Sequence, residues 1–69
     1  MKYIPGTKFI NNTTKNTKFF KRGVIHKLSN IKILDGEYEY TFTLPDKTVK
    51  KVNFKSTVIA DEYLQTIAV

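Results

Sequence analysis

The residues of this chain best suited to chemistry lie in one stretch, "KFINNTTKNTKFFKRGVIHK", from Lys8 to Lys27. Lys8, Lys15, Lys18, Lys21, Arg22 and Lys27 are its cations, and no acid stands among them. The asparagines and threonines between them add neutral donors and acceptors. Lysine, arginine, threonine and asparagine are the side chains that contact phosphate oxygens. Phe19 and Phe20 are adjacent, and neighbours on a strand point to opposite faces, so when one enters a core the other stays outside beside the cations. An exposed aromatic flanked by cations can stack on a base while the cations hold the backbone. The stretch therefore predicts a nucleic-acid interface carried by Lys8, Lys15, Lys18, Phe19, Lys21, Arg22 and Lys27. Two plainer readings compete with it. Phe19 can instead cover the end of a core, and residues 11–18, which bury too little to offset their own ordering, can be a flexible solvated loop.

Other chemistry has no residues to carry it. The chain has no cysteine and a single histidine, so neither a disulfide nor a zinc site can be assembled from it. His26 shares its parity with Val24 and Leu28, which predicts a partly buried structural histidine. Asp35 is committed to a turn, and Glu37 and Glu39 fall on an open face where nothing raises a carboxyl pKa. There is no Ser-His-acid set and no glycine-rich phosphate loop. The expectation is a binding protein, not an enzyme, with no cofactor and no metal.

Charge is distributed unevenly. Residues 1–34 hold eight cations and no acid, whereas residues 35–69 hold four lysines and six acids, giving +6 for the 69-residue chain. A one-sided basic surface is the footprint of a polyanion binder. A lysine- and asparagine-rich chain that has drifted basic through its genome's composition would look similar. Lys47, Lys50, Lys51 and Lys55 form a second cationic strip, in which lysines on an outer strand would also deter edge pairing.

The elements that must position these residues are short strands. In "IKILDGEYEYTFTL" the Asp35-Gly36 pair suits a two-residue type I′ turn, because both central positions need positive φ. Ile33 then faces Tyr38, Lys32 faces Glu39 and Ile31 faces Tyr40. Ile31, Ile33, Tyr38, Tyr40, Phe42 and Leu44 share one face, while Lys32, Glu37, Glu39, Thr41 and Thr43 share the other. Pro45-Asp46-Lys47 predicts a second turn, with Lys47 at the left-handed position. The strand after it points Val52 and Phe54 inward, and the wrong parity of Val49 predicts a bulge near Lys50 and Lys51. Upstream, His26 and Leu28 can share a face with Ile31 and Ile33 only if Ser29-Asn30 holds a bulge or bend. Pro5-Gly6 predicts a turn leading into a strand from Thr7 to Ile10. Near the end, Ser56 can cap a helical segment over about 57–65 with Ile59, Tyr63 and Ile67 at spacing four, followed by a terminal strand near 66–69.

The predicted fold class is mainly β, a single small five-stranded antiparallel barrel with one short helical turn or helix near its C-terminus. "PGTKF", "KRGVIHKL" and "YEYTFTLPDKT" resemble the Tudor-like and KOW-like group of SH3-like barrels over residues 5–55. Lys47 departs from that pattern where such hairpins carry glycine, and no aromatic cage for methylated ligands is visible. The chain also resembles, in style, small proteins of phages and mobile elements. The resemblance implies a binding barrel with a long loop after its first strand.

Two functions follow from these residues. The first is nucleic-acid binding, to DNA or RNA, through a basic face dominated by phosphate contacts. The second is a phage-type inhibitor or adaptor that docks on an acidic surface of a host protein. The apolar runs are far too short to span a bilayer and no secretory pattern opens the chain, so a cytoplasmic protein without a membrane partner is expected, as a monomer or homodimer.

Overall fold

The computed structural model describes residues 2–11 and 20–67, with the backbone alone for Ile67. Its sheet is built outward from the Asp35-Gly36 turn. Both residues have positive φ, 53° and 76°, as a type I′ turn requires. The turn joins β2 (Ile25–Leu34) to β3 (Glu37–Thr43) in the expected register, with Leu34 opposite Glu37, Ile33 opposite Tyr38 and Ile31 opposite Tyr40. A Cβ on Gly36 would meet nothing within 4 Å, so the constraint there is backbone strain and not space. Gly36→Val is expected to cost about 1–2 kcal/mol through the left-handed penalty, lowering Tm by at least about 4 °C in a thermal melt followed by circular dichroism.

The bend expected at Ser29-Asn30 is present. The β2–β3 register shifts between Leu28, opposite Phe42, and Asn30, opposite Thr41, which leaves Ser29 as the extra residue of a bulge. That single insertion puts His26 and Leu28 on the same side of the sheet as Ile31 and Ile33. The next turn runs through Pro45, Asp46 and Lys47, with Lys47 at φ 71°. Its backbone is closed by Lys47 N–H donating to Leu44 O, and Asp46 Oδ1 accepts from both the amide and the hydroxyl of Thr48.

β4 (Val49–Phe54) overturns one expectation. It pairs with β3 without interruption from Thr43–Val49 to Tyr38–Phe54, so there is no bulge at Lys50 and Lys51. Val49 faces outward and is exposed, while Lys50, opposite Phe42, occupies the inward row. The long apolar stem of a lysine can lie along a core edge while its ammonium group stays wet, so parity is kept at the chain's cationic position. β1 (Lys8–Ile10) completes an antiparallel sheet of order β1-β2-β3-β4, entered through a turn at Pro5-Gly6 in which Gly6 has φ 102°.

One face of the sheet is covered by α1 (Thr57–Ile67), which starts where Ser56 Oγ accepts from the Ile59 amide at 3.1 Å. The helix is longer than expected. Thr66 and Ile67 belong to it where a fifth strand was expected, and residues 68–69 of that strand lie outside the described residues. Its buried stripe also differs, because Ala60 and Leu64 face the sheet while Ile59 is half-exposed. Tyr63, a member of the expected stripe, does pack against the core, alongside Phe20 and Phe54 at ring-centroid distances of 6.1 and 5.8 Å. The core is Phe9, Phe20, Leu28, Tyr40, Phe42, Val52, Phe54, Ala60 and Leu64, with Tyr3, Ile31, Tyr38 and Tyr63 packed against it. Ile33 lies on the covered side but beyond the reach of the helix, and is 68% exposed.

Candidate nucleic-acid interface

The helix closes one face of the sheet, and alternation dictates what the other face presents. Lys8, Lys27, Thr43 and Val49 stand in register across all four strands. The next row is Asn30, Thr41 and Lys51, and the third is Lys32, Glu39 and Asn53. In the third row Lys32 Nζ lies 4.0 Å from Glu39 Oε1, the sheet-face charge pair expected from the hairpin register. The first two rows contain Lys8, Lys27 and Lys51 and no acid. Ser29, the bulge residue, adds its hydroxyl to this face, 2.5 Å from Thr43 Oγ1. Lysines, threonines, a serine and an asparagine thus form one surface of phosphate-contacting type.

The predicted interface residues are partly united here. Lys8 and Lys27 are directly opposite one another, and both are exposed. Lys21 and Arg22 are exposed at the same end of the sheet, where Arg22 forms an isolated bridge with Asn11 just beyond β1. Lys15, Lys18 and Phe19 lie outside the described residues, as do residues 12–18 of the expected loop. Phe20 enters the core, 1% exposed.

Asn11, assigned to the loop from sequence, is buried. Its Nδ2 donates to Phe20 O at 3.1 Å, and its own carbonyl accepts from the Gly23 amide at 3.1 Å. Satisfied on both groups, it pins the Phe20–Gly23 segment to the end of β1. Sequence reading places Thr43 opposite the core and Lys51 in a second cationic strip, but includes neither in the interface. Period-2 alternation gives the outward side of each strand, but not which outward residues stand side by side.

At the end of the face, Lys8, Ile25, Lys27, Thr43, Leu44 and Pro45 border a cavity of about 250 Å³. Ile25, Leu44 and Pro45 give it apolar walls, and the two lysines and the threonine give it a polar rim.

Across the sheet from this surface, His26 is fully buried, not partly buried as expected. Its Nδ1 lies 2.9 Å from Val24 O, its ring is 4.5 Å from Phe20, and Nε2 has no partner among the described residues. Burial pushes its pKa below the ordinary 6.5, opposed by the Val24 carbonyl and reinforced by Lys50 and Lys21. The unfolded chain therefore binds more protons than the folded one between the two pKa values. Stability from this group is complete above about pH 6.5 and is lost as pH falls through the lower folded value. Urea denaturation at pH 7.5 and 5.5 is expected to show a lower midpoint at the acidic pH, and His26→Gln is expected to reduce that difference.

Two further buried polar atoms, Tyr40 Oη and Asp61 Oδ1, have no hydrogen-bond partner among the described residues. Burial raises the Tyr40 pKa, with Asp61 and then Tyr38 adding to it. Asp61 Oδ2 accepts from the Lys2 backbone amide at 2.9 Å and so holds the N-terminal segment to the helix. Among the described residues no three His, Asp or Glu side chains converge as a metal site, and no helix is long and apolar enough to cross a membrane.

These features define a class: a four-stranded antiparallel meander with one face closed by a C-terminal helix and the other open and lysine-bearing. No family model, curated protein or solved structure matches the chain.

Proposed function

We propose that this protein is a non-enzymatic nucleic-acid-binding module that uses the open sheet face, with phosphate contacts dominant. The observation that carries this reading is the direct opposition of Lys8 and Lys27 on an acid-free part of the sheet. Like charges directly opposite one another destabilise a sheet, so the fold gains nothing from the pair. Edge protection can account for Lys8 on the outer strand but not for Lys27 on an interior one. A polyanion neutralises both. Lys51, Lys21 and Arg22 extend the same field, and Thr41, Thr43, Ser29 and Asn30 supply neutral phosphate contacts between the charges. The bent β2, the type I′ hairpin and the meander order favour an SH3-like arrangement of the strands.

The test is fluorescence anisotropy with labelled DNA and RNA oligonucleotides between 50 and 200 mM salt. Binding that weakens linearly in a log-log plot against salt, with slope about −0.7 per phosphate contact for single strands or −0.9 for duplex, is the expected result. No binding at 50 mM salt overturns it. Exposed Ile25 and Val49 beside the lysines favour, as a second reading, an acidic protein surface as partner. Capture from a lysate with and without nuclease separates the two, since only a protein partner is retained after digestion.

A further inference from the structure

We propose that the cavity between Lys8, Ile25, Lys27, Thr43, Leu44 and Pro45 receives one unpaired base of a single-stranded nucleic acid, the two lysines holding the phosphates beside it. This rests on the reading of the open face as a nucleic-acid interface and specifies which nucleic acid it takes. Size comes first. At about 250 Å³ the cavity falls below the roughly 300–1,000 Å³ of sites for drug-sized molecules, and so suits a single small planar group.

Composition points the same way. A nucleobase has apolar faces and a polar edge, and the cavity is lined by apolar Ile25, Leu44 and Pro45 together with Thr43 and the two lysines. Leu44 is buried and Pro45 has a fixed φ, which makes two of the three apolar walls rigid before any ligand arrives. Lys8 and Lys27 project from adjacent strands at directly opposed positions, so their ammonium groups can hold the backbone on which the base is carried. Duplex bases are stacked and paired, and placing one in a pocket first requires it to be extruded. A single strand presents its bases without that cost. Charge alone would favour the denser charge of a duplex, so the cavity and the lysine field make opposite predictions.

The experiment uses the full chain and four probes of equal length at 100 mM salt: a single strand made as DNA and as RNA, the corresponding DNA duplex, and an abasic single strand with the same phosphates. The intact single strand is expected to bind about tenfold tighter than the abasic strand and the duplex, the order of magnitude of one base contact. The sugar that gives this margin identifies the nucleic acid. Ile25→Ala removes one wall at a position 39% exposed, where the fold tolerates it. It is expected to weaken binding of the intact strand about fivefold while leaving its salt slope and the abasic affinity unchanged. If the abasic strand and the duplex bind as tightly as the intact strand, the base pocket is overturned while the electrostatic reading of the face survives. If none of the probes binds, both fall. The comparison of probes on the parent chain decides the matter even if Ile25→Ala does not fold.

Discussion

Phe20→Ala is expected to leave most of the chain unfolded at 37 °C. Phe20 is the residue through which the segment before β2 closes the core. Its ring meets Phe42 edge-on at 4.9 Å, lies 4.5 Å from His26 and 6.1 Å from Tyr63, and so touches the sheet and the helix at once. Truncating a buried phenylalanine to alanine costs about 3–5 kcal/mol, because transfer free energy is lost and a cavity remains. A 69-residue domain at roughly 0.05–0.15 kcal/mol per residue has only about 3.5–10 kcal/mol in total. The expected fall in Tm is about 12 °C or more, read by circular dichroism. Phe20→Leu, which keeps part of the volume, should lose less than half as much. A Phe20→Ala protein that melts within a few degrees of the parent would mean that the aromatic cluster is not what closes the core.

The hairpin at the centre of this fold was legible because its signals are local and agree with one another. Asp35-Gly36 sets the turn, the turn sets the register, and the register sends Tyr40 and Phe42 inward. The bulge at Ser29 was legible by contradiction, since His26 and Leu28 could not otherwise share a side with Ile31. Val49 misled for the opposite reason. A valine of the wrong parity suggests a bulge, whereas the strand stays regular, leaves that valine exposed and puts Lys50 opposite Phe42. In the helix, size and spacing point to Ile59 and Tyr63 as buried, and only Tyr63 packs against the core. The stripe is set by Ala60 and Leu64, since a small residue lets the helix approach the sheet closely.

The candidate site was legible in sign and not in membership. An acid-free first half announces a basic surface, but which lysines share a face depends on pairings between β1 and β2 that are far apart in sequence. Lys27 meets Lys8 beside a tie made by Asn11, from the apparently featureless polar run, which is buried and bonds to Phe20 and Gly23. Lys51 joins them across two strands. Alternation gives the outward side of each lysine, but composition and local periodicity do not give these pairings across strands.

Replacing Lys8, Lys27 and Lys51 together by glutamine is expected to separate binding from folding. Glutamine keeps side-chain length and hydrogen-bonding capacity and removes the charge. Each lost phosphate contact lowers the log-log salt slope by about 0.7 for a single strand, so three together should flatten it by about 2. Affinity at 100 mM salt should fall about tenfold or more. Stability should move the other way, because removing two opposed like charges relieves a repulsion of a few tenths of a kcal/mol, and Tm should hold or rise. A stabilised protein that no longer binds is the outcome a functional lysine row produces. Lysines serving only as edge protection predict instead a protein that binds as before and associates through β1 and β4, visible as a concentration-dependent mass by light scattering. Lys27 decides between the two in a single substitution. It stands on an interior strand with no edge to guard, so a loss of affinity in Lys27→Gln alone, with the monomer unchanged, assigns it to the ligand.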